Sequence, residues 1–416
     1  MISIIKNPYF ALLWSGQLIS AFGDEFYNVA LLWLATKQAG ETAGTFFGAA
    51  TLCALLLAPL GGTLADKANR RGLLIAIELA RGLLVGLLSI LLTFNKFGLW
   101  LVVPFIFSKE LLTTLFEPAL QASLPTLAAN IEALYITNNL IDLAKRCARM
   151  LCPAAAGLLL ILLSSPTLFA LNATSFIISA GAFILLGPCF QAFARSNPTI
   201  QTRDRHRFAD LRKDILQSCM LAYRHRSFFQ AISLITLMNI AWSIFFLIGL
   251  PLWTQQVLHA PSLFFGLMGS AYGIGSIAGL LLSTLRKPFS LRGMYIGKAL
   301  QGVTFILLTL LGSNWAGIGV MFAGGLCSTL GEPTITLMIQ TEFPQEHVGK
   351  LSSLRSTLVQ LGVTLGSIVA SPFYVLCGIS TGIALSGCLM VLISVLGLVL
   401  PMFSKKGLMP EFNSLS

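Results

Sequence analysis

Twelve transmembrane helices in two pseudo-repeats of six, an all-α polytopic membrane protein, are what this sequence predicts, and three observations carry the prediction. The first is composition: of 416 residues, 56% are apolar and only 10% charged, with a mean hydropathy of +0.82. A water-facing domain needs about a quarter of its residues charged to cover its surface. The second is that apolar runs recur at the ~20-residue length a bilayer demands. The third is an internal repeat: Trp33 pairs with Trp253, Phe46-Phe47-Gly48 with Phe264-Phe265-Gly266, and Glu117-Pro118 with Glu332-Pro333, at offsets between 215 and 220 residues.

In chain order the runs fall at 9–36, 43–65, 72–94, 98–124, 134–163 and 166–193, then at 228–257, 262–285, 291–312, 315–341, 347–376 and 379–402. Breaks fall at Gly, Pro, Asn and charge clusters, as loops should. The opening Met1–Pro8 leads straight into a run too long for a signal-peptide core, so the first helix is expected to be retained. The chain then divides into an N-terminal half (1–193), a basic linker (194–227) and a C-terminal half with a short tail (228–416). The linker carries eight Lys and Arg against three Asp, and its 207–222 part alternates apolar and basic positions as an amphipathic helix on a membrane face would.

Basic residues collect in alternate loops. Lys6, the Asp66–Arg71 turn, the linker, Arg286-Lys287-Arg292, Lys350 and Lys405-Lys406 share one side, and Lys37 and Lys96 lie on the other. Positive-inside bias makes the richer side, with both termini, cytoplasmic. The net charge of +11 is thereby accounted for by loops, and no nucleic-acid partner is expected.

Ionisable groups inside membrane helices are costly, so each marks a candidate site. Asp24 and Glu25 lie near the middle of the first helix, and two adjacent carboxylates cannot both ionise cheaply. Proton coupling is assigned to this pair. Helix three carries Glu78 and Arg81 at a spacing that lets them pair on one face, and helix four carries Lys109 and Glu110. In helix five Asp142, Lys145, Arg146 and Arg149 form one stripe, expected to face a water-filled cavity or acidic neighbours. Arg81, Lys109, Glu110 and Arg149 are the candidate substrate-cavity residues. Glu117 and Glu332, each before a proline, are expected to stabilise turns and latch a gate with Asp142 and Arg146, while Lys145 and Arg146 are expected to pair with Asp66 or Glu117. In the second half the interior charges are Lys298 and Arg355.

The turn after the second run reads Gly61-Gly62-Thr63-Leu64-Ala65-Asp66-Lys67-Ala68-Asn69-Arg70-Arg71-Gly72. It resembles the signature loop of the major facilitator superfamily, Gly-x-x-x-Asp-Arg/Lys-x-Gly-Arg-Arg/Lys, at Gly62, Asp66, Lys67, Arg70 and Arg71, with Asn69 in place of the usual Gly. The resemblance implies a loop whose Asp and Arg latch the two halves in the outward-facing state. In the second half the loop has decayed, with Ser283 where the Asp would stand. Further on, Cys152-Pro153-Ala154-Ala155-Ala156-Gly157 resembles the family's helix-five antiporter motif, with Cys152 and Ala156 standing in for glycines. Pro153 would bend the helix and the small residues would allow close packing.

Phe10–Phe47 and the stretch from Phe116-Glu117-Pro118-Ala119 to Asn138-Asn139 are similar to the branch that holds macrolide efflux pumps and the enterobactin exporter. A Gly-Asp pair recurs in that branch, which singles out Asp24. The resemblance implies export of a small molecule, drug- or siderophore-like, across a bacterial inner membrane by proton-coupled alternating access. The basic face suggests an anionic or carboxylate-rich cargo. The alternatives are an importer of a metabolite, carboxylate or siderophore, and a lysolipid-handling translocase of the same fold.

An enzyme is not expected: His206, His225, His259 and His347 lie in loops or at helix ends, and neither a nucleophile elbow nor a Gly-x-x-x-x-Gly-Lys-Ser/Thr loop is present. The eight cysteines (Cys53, Cys147, Cys152, Cys189, Cys219, Cys327, Cys377, Cys388) show no metal-ligand spacing, so neither metal nor cofactor is expected. The expected partners are a small-molecule substrate, protons and the lipid bilayer, with the chain acting as a monomer.

Overall fold

The computed structural model describes residues 8–67, 70–94, 99–127, 131–187, 219–285, 290–331 and 333–400. Within them the chain is helical throughout its passes: α1 (Pro8–Ala39), α2 (Ala43–Lys67), α3 (Arg70–Thr93), α4 (Leu99–Leu127), α5 (Ile131–Leu162) and α6 (Ser165–Leu185), then α7 (Arg226–Val257). After these come α8 (Ser262–Leu285), α9 (Leu291–Leu311), α10 (Asn314–Thr329, continued by Pro333–Glu342), α11 (Gln345–Cys377) and α12 (Ile379–Val399). Seven of these helices are long and apolar enough to cross a membrane on length and composition alone. The rest include α1, α4 and α5, which carry Asp24, Glu25, Lys109, Glu110 and Arg149. Leu83, Leu310 and Leu392 are exposed on α3, α9 and α12, as lipid-facing leucines would be. The linker up to residue 218, Asn69 and Glu332 lie outside the described residues, and so do the side chains of Gly62, Asp66, Lys67 and Arg70.

Within the N-terminal half α3 packs on α6 and α1 on α6 and α5; in the C-terminal half α8 packs on α10 and α9 on α12. The halves meet along two seams, α2 against α11 and α5 against α8. The repeated Phe-Phe-Gly triplet explains why. A Cβ on Gly48 would strike the Ile368 side chain and come 2.7 Å from its backbone nitrogen. On Gly266 it would strike the Pro153 carbonyl and come 2.9 Å from Gly157 Cα. Matching glycines of the two repeats thus permit the backbone approach that each seam needs.

The end of the bundle at which α1 begins is the terminal end, and the opposite one is the far end. One apolar cluster runs from the C-terminal half into the N-terminal half through Tyr27, Leu31, Phe169, Trp253 and Phe265. A second, with Leu74, Phe116, Leu120, Ile141 and Phe183, belongs to the N-terminal half alone.

Two helices depart from regularity. In α7, Ile244–Gly249 and Trp253–Val257 are π-helical on either side of Leu250-Pro251-Leu252. Pro251 cannot donate to the helix ladder, and the wider turns absorb that loss. Tyr374 Oη donates to the Ile244 carbonyl at 2.9 Å, bracing the first of them from α11. The other is α10, which breaks where Gly331 takes φ +77° and Pro333 restarts the helix. The turn expected after Glu117-Pro118 is not formed: α4 continues through Pro118 to Leu127.

Candidate transport site

Asp24 was read from sequence as having only another acid beside it. The structure adds a cation: Lys109 Nζ of α4 lies 3.1 Å from Asp24 Oδ1 and 3.7 Å from Glu110 Oε1, and 4.7 Å from the centre of the Tyr27 ring. Lys109 is buried, so its charge is offset by the two carboxylates and the ring face rather than by water. The space beside Gly23 is occupied. A Cβ there would strike Ser175 Oγ and come 2.7 Å from Asn172 Oδ1, so the missing side chain serves close packing of α1 on α6. Glu25 is half-buried.

Behind this pair lies a second buried set. Arg81 Nη1 stands 3.9 Å from Glu78 Oε2, and its guanidinium lies over the Phe116 and Phe176 rings at 4.6 and 5.3 Å. Ser179 Oγ donates to Glu78 Oε1 at 2.9 Å and accepts from Gln17 Nε2 at 3.2 Å. Both Glu78 and Arg81 are buried. Arg81 therefore sits in the packing of the N-terminal half, where a cargo molecule would not reach it directly, while Arg149 on α5 is exposed.

At the terminal end the described charges pair within their own half. Lys145 Nζ meets Glu117 Oε1 at 2.6 Å, and Arg146 Nε meets Asp142 Oδ2 at 2.7 Å on the exposed face of α5. Arg71, a signature-loop residue, donates to the carbonyls of Phe183 and Ile184 at 3.1 and 2.7 Å, capping the end of α6. In the C-terminal half His225 Nε2 lies 3.1 Å from Glu342 Oε2, and Arg355 Nη1 donates to Thr336 Oγ1 at 2.8 Å.

At the far end the bonds cross between halves. Gln255 Nε2, carried by the second π turn, donates to the Trp33 carbonyl at 3.1 Å and to Thr36 Oγ1 at 2.8 Å. Trp33 stacks on Phe265 at 5.8 Å, and the Thr45 amide donates to Ser371 Oγ at 3.0 Å. The helix-five motif belongs to this seam: the Ala154 amide, next to Pro153, donates to Ser270 Oγ at 2.8 Å, and Ser262 Oγ donates to the Gly157 carbonyl at 3.0 Å. Cys152 is fully buried beside them.

Sequence reasoning missed a polar and aromatic cluster in the C-terminal half. Trp242 and Phe246 of α7 stack at 5.0 Å, and Phe246 meets Tyr272 of α8 at 4.8 Å. Tyr272 Oη accepts from Trp242 Nε1 and from Gln301 Nε2, each at 3.0 Å, and Lys298 Nζ reaches Gln301 Oε1 at 3.5 Å. A tryptophan, a tyrosine and a glutamine within the apolar runs of α7, α8 and α9 were the available signal. Among the described residues no group of three or more His, Cys, Asp or Glu comes together as metal ligands would.

The chain matches the transmembrane secretion effector family model over residues 2–411. It is 21% identical to macrolide efflux protein A of Streptococcus pyogenes over 405 residues, 95% of this chain and 96% of that one. To the staphyloferrin A transporter of Staphylococcus aureus it is 28% identical over 280 residues, 63% of this chain and 67% of the relative. Among solved structures, a bacterial homologue of the iron transporter ferroportin in its inward-facing state aligns with a TM-score of 0.64 at 15% identity, covering 93% of this chain and 98% of that one. The POT family transporter PepTSo aligns with a TM-score of 0.66 at 13% identity, covering 94% and 97%. At such identities these structures speak for the fold alone. Taken with the twelve passes in two halves, the nearly full-length family match makes this chain a member of the transmembrane secretion effector family, a multi-pass membrane transporter of the major facilitator type and not an enzyme.

Proposed function

We propose that the protein exports a drug- or siderophore-like small molecule across the bacterial inner membrane in exchange for protons, its two halves rocking about a midplane site. The observation that carries this reading is an asymmetry among the described residues: bonds cross between the halves at the far end, and the described charge pairs at the terminal end stay within each half. With the basic loops and both termini in the cytoplasm, such a conformation opens inward, the state in which an exporter loads. The names of the macrolide and staphyloferrin relatives support the cargo class.

In this reading Asp24 is the proton-carrying group and Lys109 its counter-ion. A proton arriving on Asp24 cancels most of the attraction across the 3.1 Å gap, freeing α4 to move relative to α1. Glu25 and Arg149 face the cargo, while Asp66, Arg70, Glu117 and Glu332 act at the gate. The chain works as a monomer.

Inside-out vesicles with an acidified lumen, loaded with a pH-sensitive dye, test the exchange directly. Added erythromycin or staphyloferrin A should drive protons out of the lumen of vesicles carrying the protein. If every compound of a panel of macrolides and siderophores leaves the signal equal to that of vesicles without the protein, proton exchange is wrong. Orientation is checked separately with a cysteine at Arg203 in a background lacking native thiols such as exposed Cys219. It should react with an impermeant reagent only after cells are opened.

A further inference from the structure

We infer that Trp242, Phe246 and Tyr272 form a binding platform for a planar aromatic group that bears an anionic substituent, with Lys298 and Arg149 at its edges. The inference rests on the transport reading above and narrows its cargo class.

The rings come from two helices and are fixed by a third. Trp242 and Phe246 are one turn apart on α7, stacked with an interplanar angle of 12°. Tyr272 of α8 closes the corner and is held by the Gln301 amide of α9. A cluster supplied by three helices lies within the half rather than on a single lipid-facing ridge. Yet its three rings remain partly exposed, while Gln301 behind them is fully buried. The neighbouring pair Phe245 and Phe305 shows the contrast: stacked at 3.8 Å and both buried, it does the packing of the half. The outer rings pack against the core on one side, and the partly exposed faces of Trp242 and Phe246 are the ones a guest would meet.

The helix that carries Tyr272 meets the other half at the next residue. Tyr272 precedes Gly273, where a Cβ would come 3.0 Å from Met150 Cα and 3.4 Å from the Arg149 carbonyl. Arg149 is exposed, its Nε donating to the Lys145 carbonyl at 3.4 Å. Lys298 Nζ lies 3.5 Å from Oε1 of Gln301, whose amide holds Tyr272. Two cations beside stacked rings suit an aryl carboxylate or phenolate: the rings take the flat face, and the cations take the charge. An aliphatic acid would gain only the second contribution, and a neutral arene only the first.

Equilibrium binding to the full-length protein in detergent, measured calorimetrically without any gradient, tests this with naphthoate, cyclohexanecarboxylate and naphthalenemethanol as probes. Naphthoate should bind about tenfold more tightly than either of the others, the scale expected for one good aromatic contact or one charge-assisted bond. Phe246→Leu should lower naphthoate affinity by a similar factor, about tenfold. Tyr272→Phe, which keeps the ring and the fold, should retain the preference for naphthoate over cyclohexanecarboxylate. Lys298→Gln should weaken naphthoate and leave naphthalenemethanol unchanged.

Equal affinity of Phe246→Leu and the parent for naphthoate overturns the platform, as does failure of the parent to prefer naphthoate over cyclohexanecarboxylate. Because no gradient is involved, loss of binding in Phe246→Leu supports the platform even where proton exchange fails. Proton-driven transport with unchanged naphthoate binding removes the platform and leaves the transport reading standing.

Discussion

In the N-terminal half α1 and α4 hold Asp24 against Lys109 at 3.1 Å, and α3 holds Glu78 against Arg81 at 3.9 Å. In the C-terminal half the helices of matching rank, α7 and α9, carry Trp242, Phe246 and Gln301 instead, joined to Tyr272 of α8. The repeats kept the glycines that make the seams, Gly48 and Gly266, and diverged in what they bury. A buried ion pair changes its attraction when one partner takes up a proton, whereas stacked rings and an amide respond to the shape of a guest. Under the proposed function the first half carries energy coupling, and the second adds an aromatic surface to the cargo contacts of Glu25 and Arg149.

The sharpest way to break that division is to remove one cation from each half. Lys109→Met leaves buried carboxylates without their counter-ion and should cost about 3 kcal/mol or more of stability. Lys298→Met, at a half-exposed position, should cost less than about 1 kcal/mol. Chemical unfolding in detergent measures both, and similar costs would mean that the halves do not differ in this way.

A smaller effect is expected at the seams, where the halves should behave alike. Gly48→Leu and Gly266→Leu each force a side chain into the partner half, and about 1–3 kcal/mol of overpacking would tilt a two-state equilibrium by roughly 5–150-fold away from far-end closure. Labelling of a cysteine placed at Thr36 should rise in both variants; a rise in only one would show that a single seam sets the closure. Smaller still, Tyr374→Phe removes the hydroxyl that holds the Ile244 carbonyl and should lower stability by about 1 kcal/mol. Smallest is Lys145→Ala: its partly exposed pair with Glu117 should be worth under about 1 kcal/mol.

The helices were legible because a bilayer fixes their length and admits few polar residues: the runs read at 262–285 and 379–402 appear as Ser262–Leu285 and Ile379–Val399. Charges were legible as candidates for the same reason. Their partners were only partly so. Glu78 with Arg81 and Asp142 with Arg146 follow from helical spacing, but Asp24 and Lys109 are 85 positions apart, on helices whose contact depends on tertiary packing. Arg71 was read as a gate residue by motif, and the α6 carbonyls it caps lie more than a hundred residues away. The π turns of α7 escaped because they are local backbone adjustments around Pro251 that the apolar pattern runs across, whereas the break in α10 falls where Glu332-Pro333 signalled a turn. The aromatic platform escaped because Trp, Phe and Tyr count as apolar in a hydropathy pattern, which hides the one property that matters here, their incomplete burial.

The division of labour is tested most directly by Asp24→Asn, in vesicles that report proton release and cargo movement together. The neutral amide mimics the protonated carboxylate, so cargo exchange without a gradient should persist while proton-driven accumulation falls to the level of vesicles lacking the protein. Accumulation against a gradient by the variant at the parent's rate would contradict the account, and the coupling group would then have to be sought at Glu25, Glu78, Glu110 or Asp142.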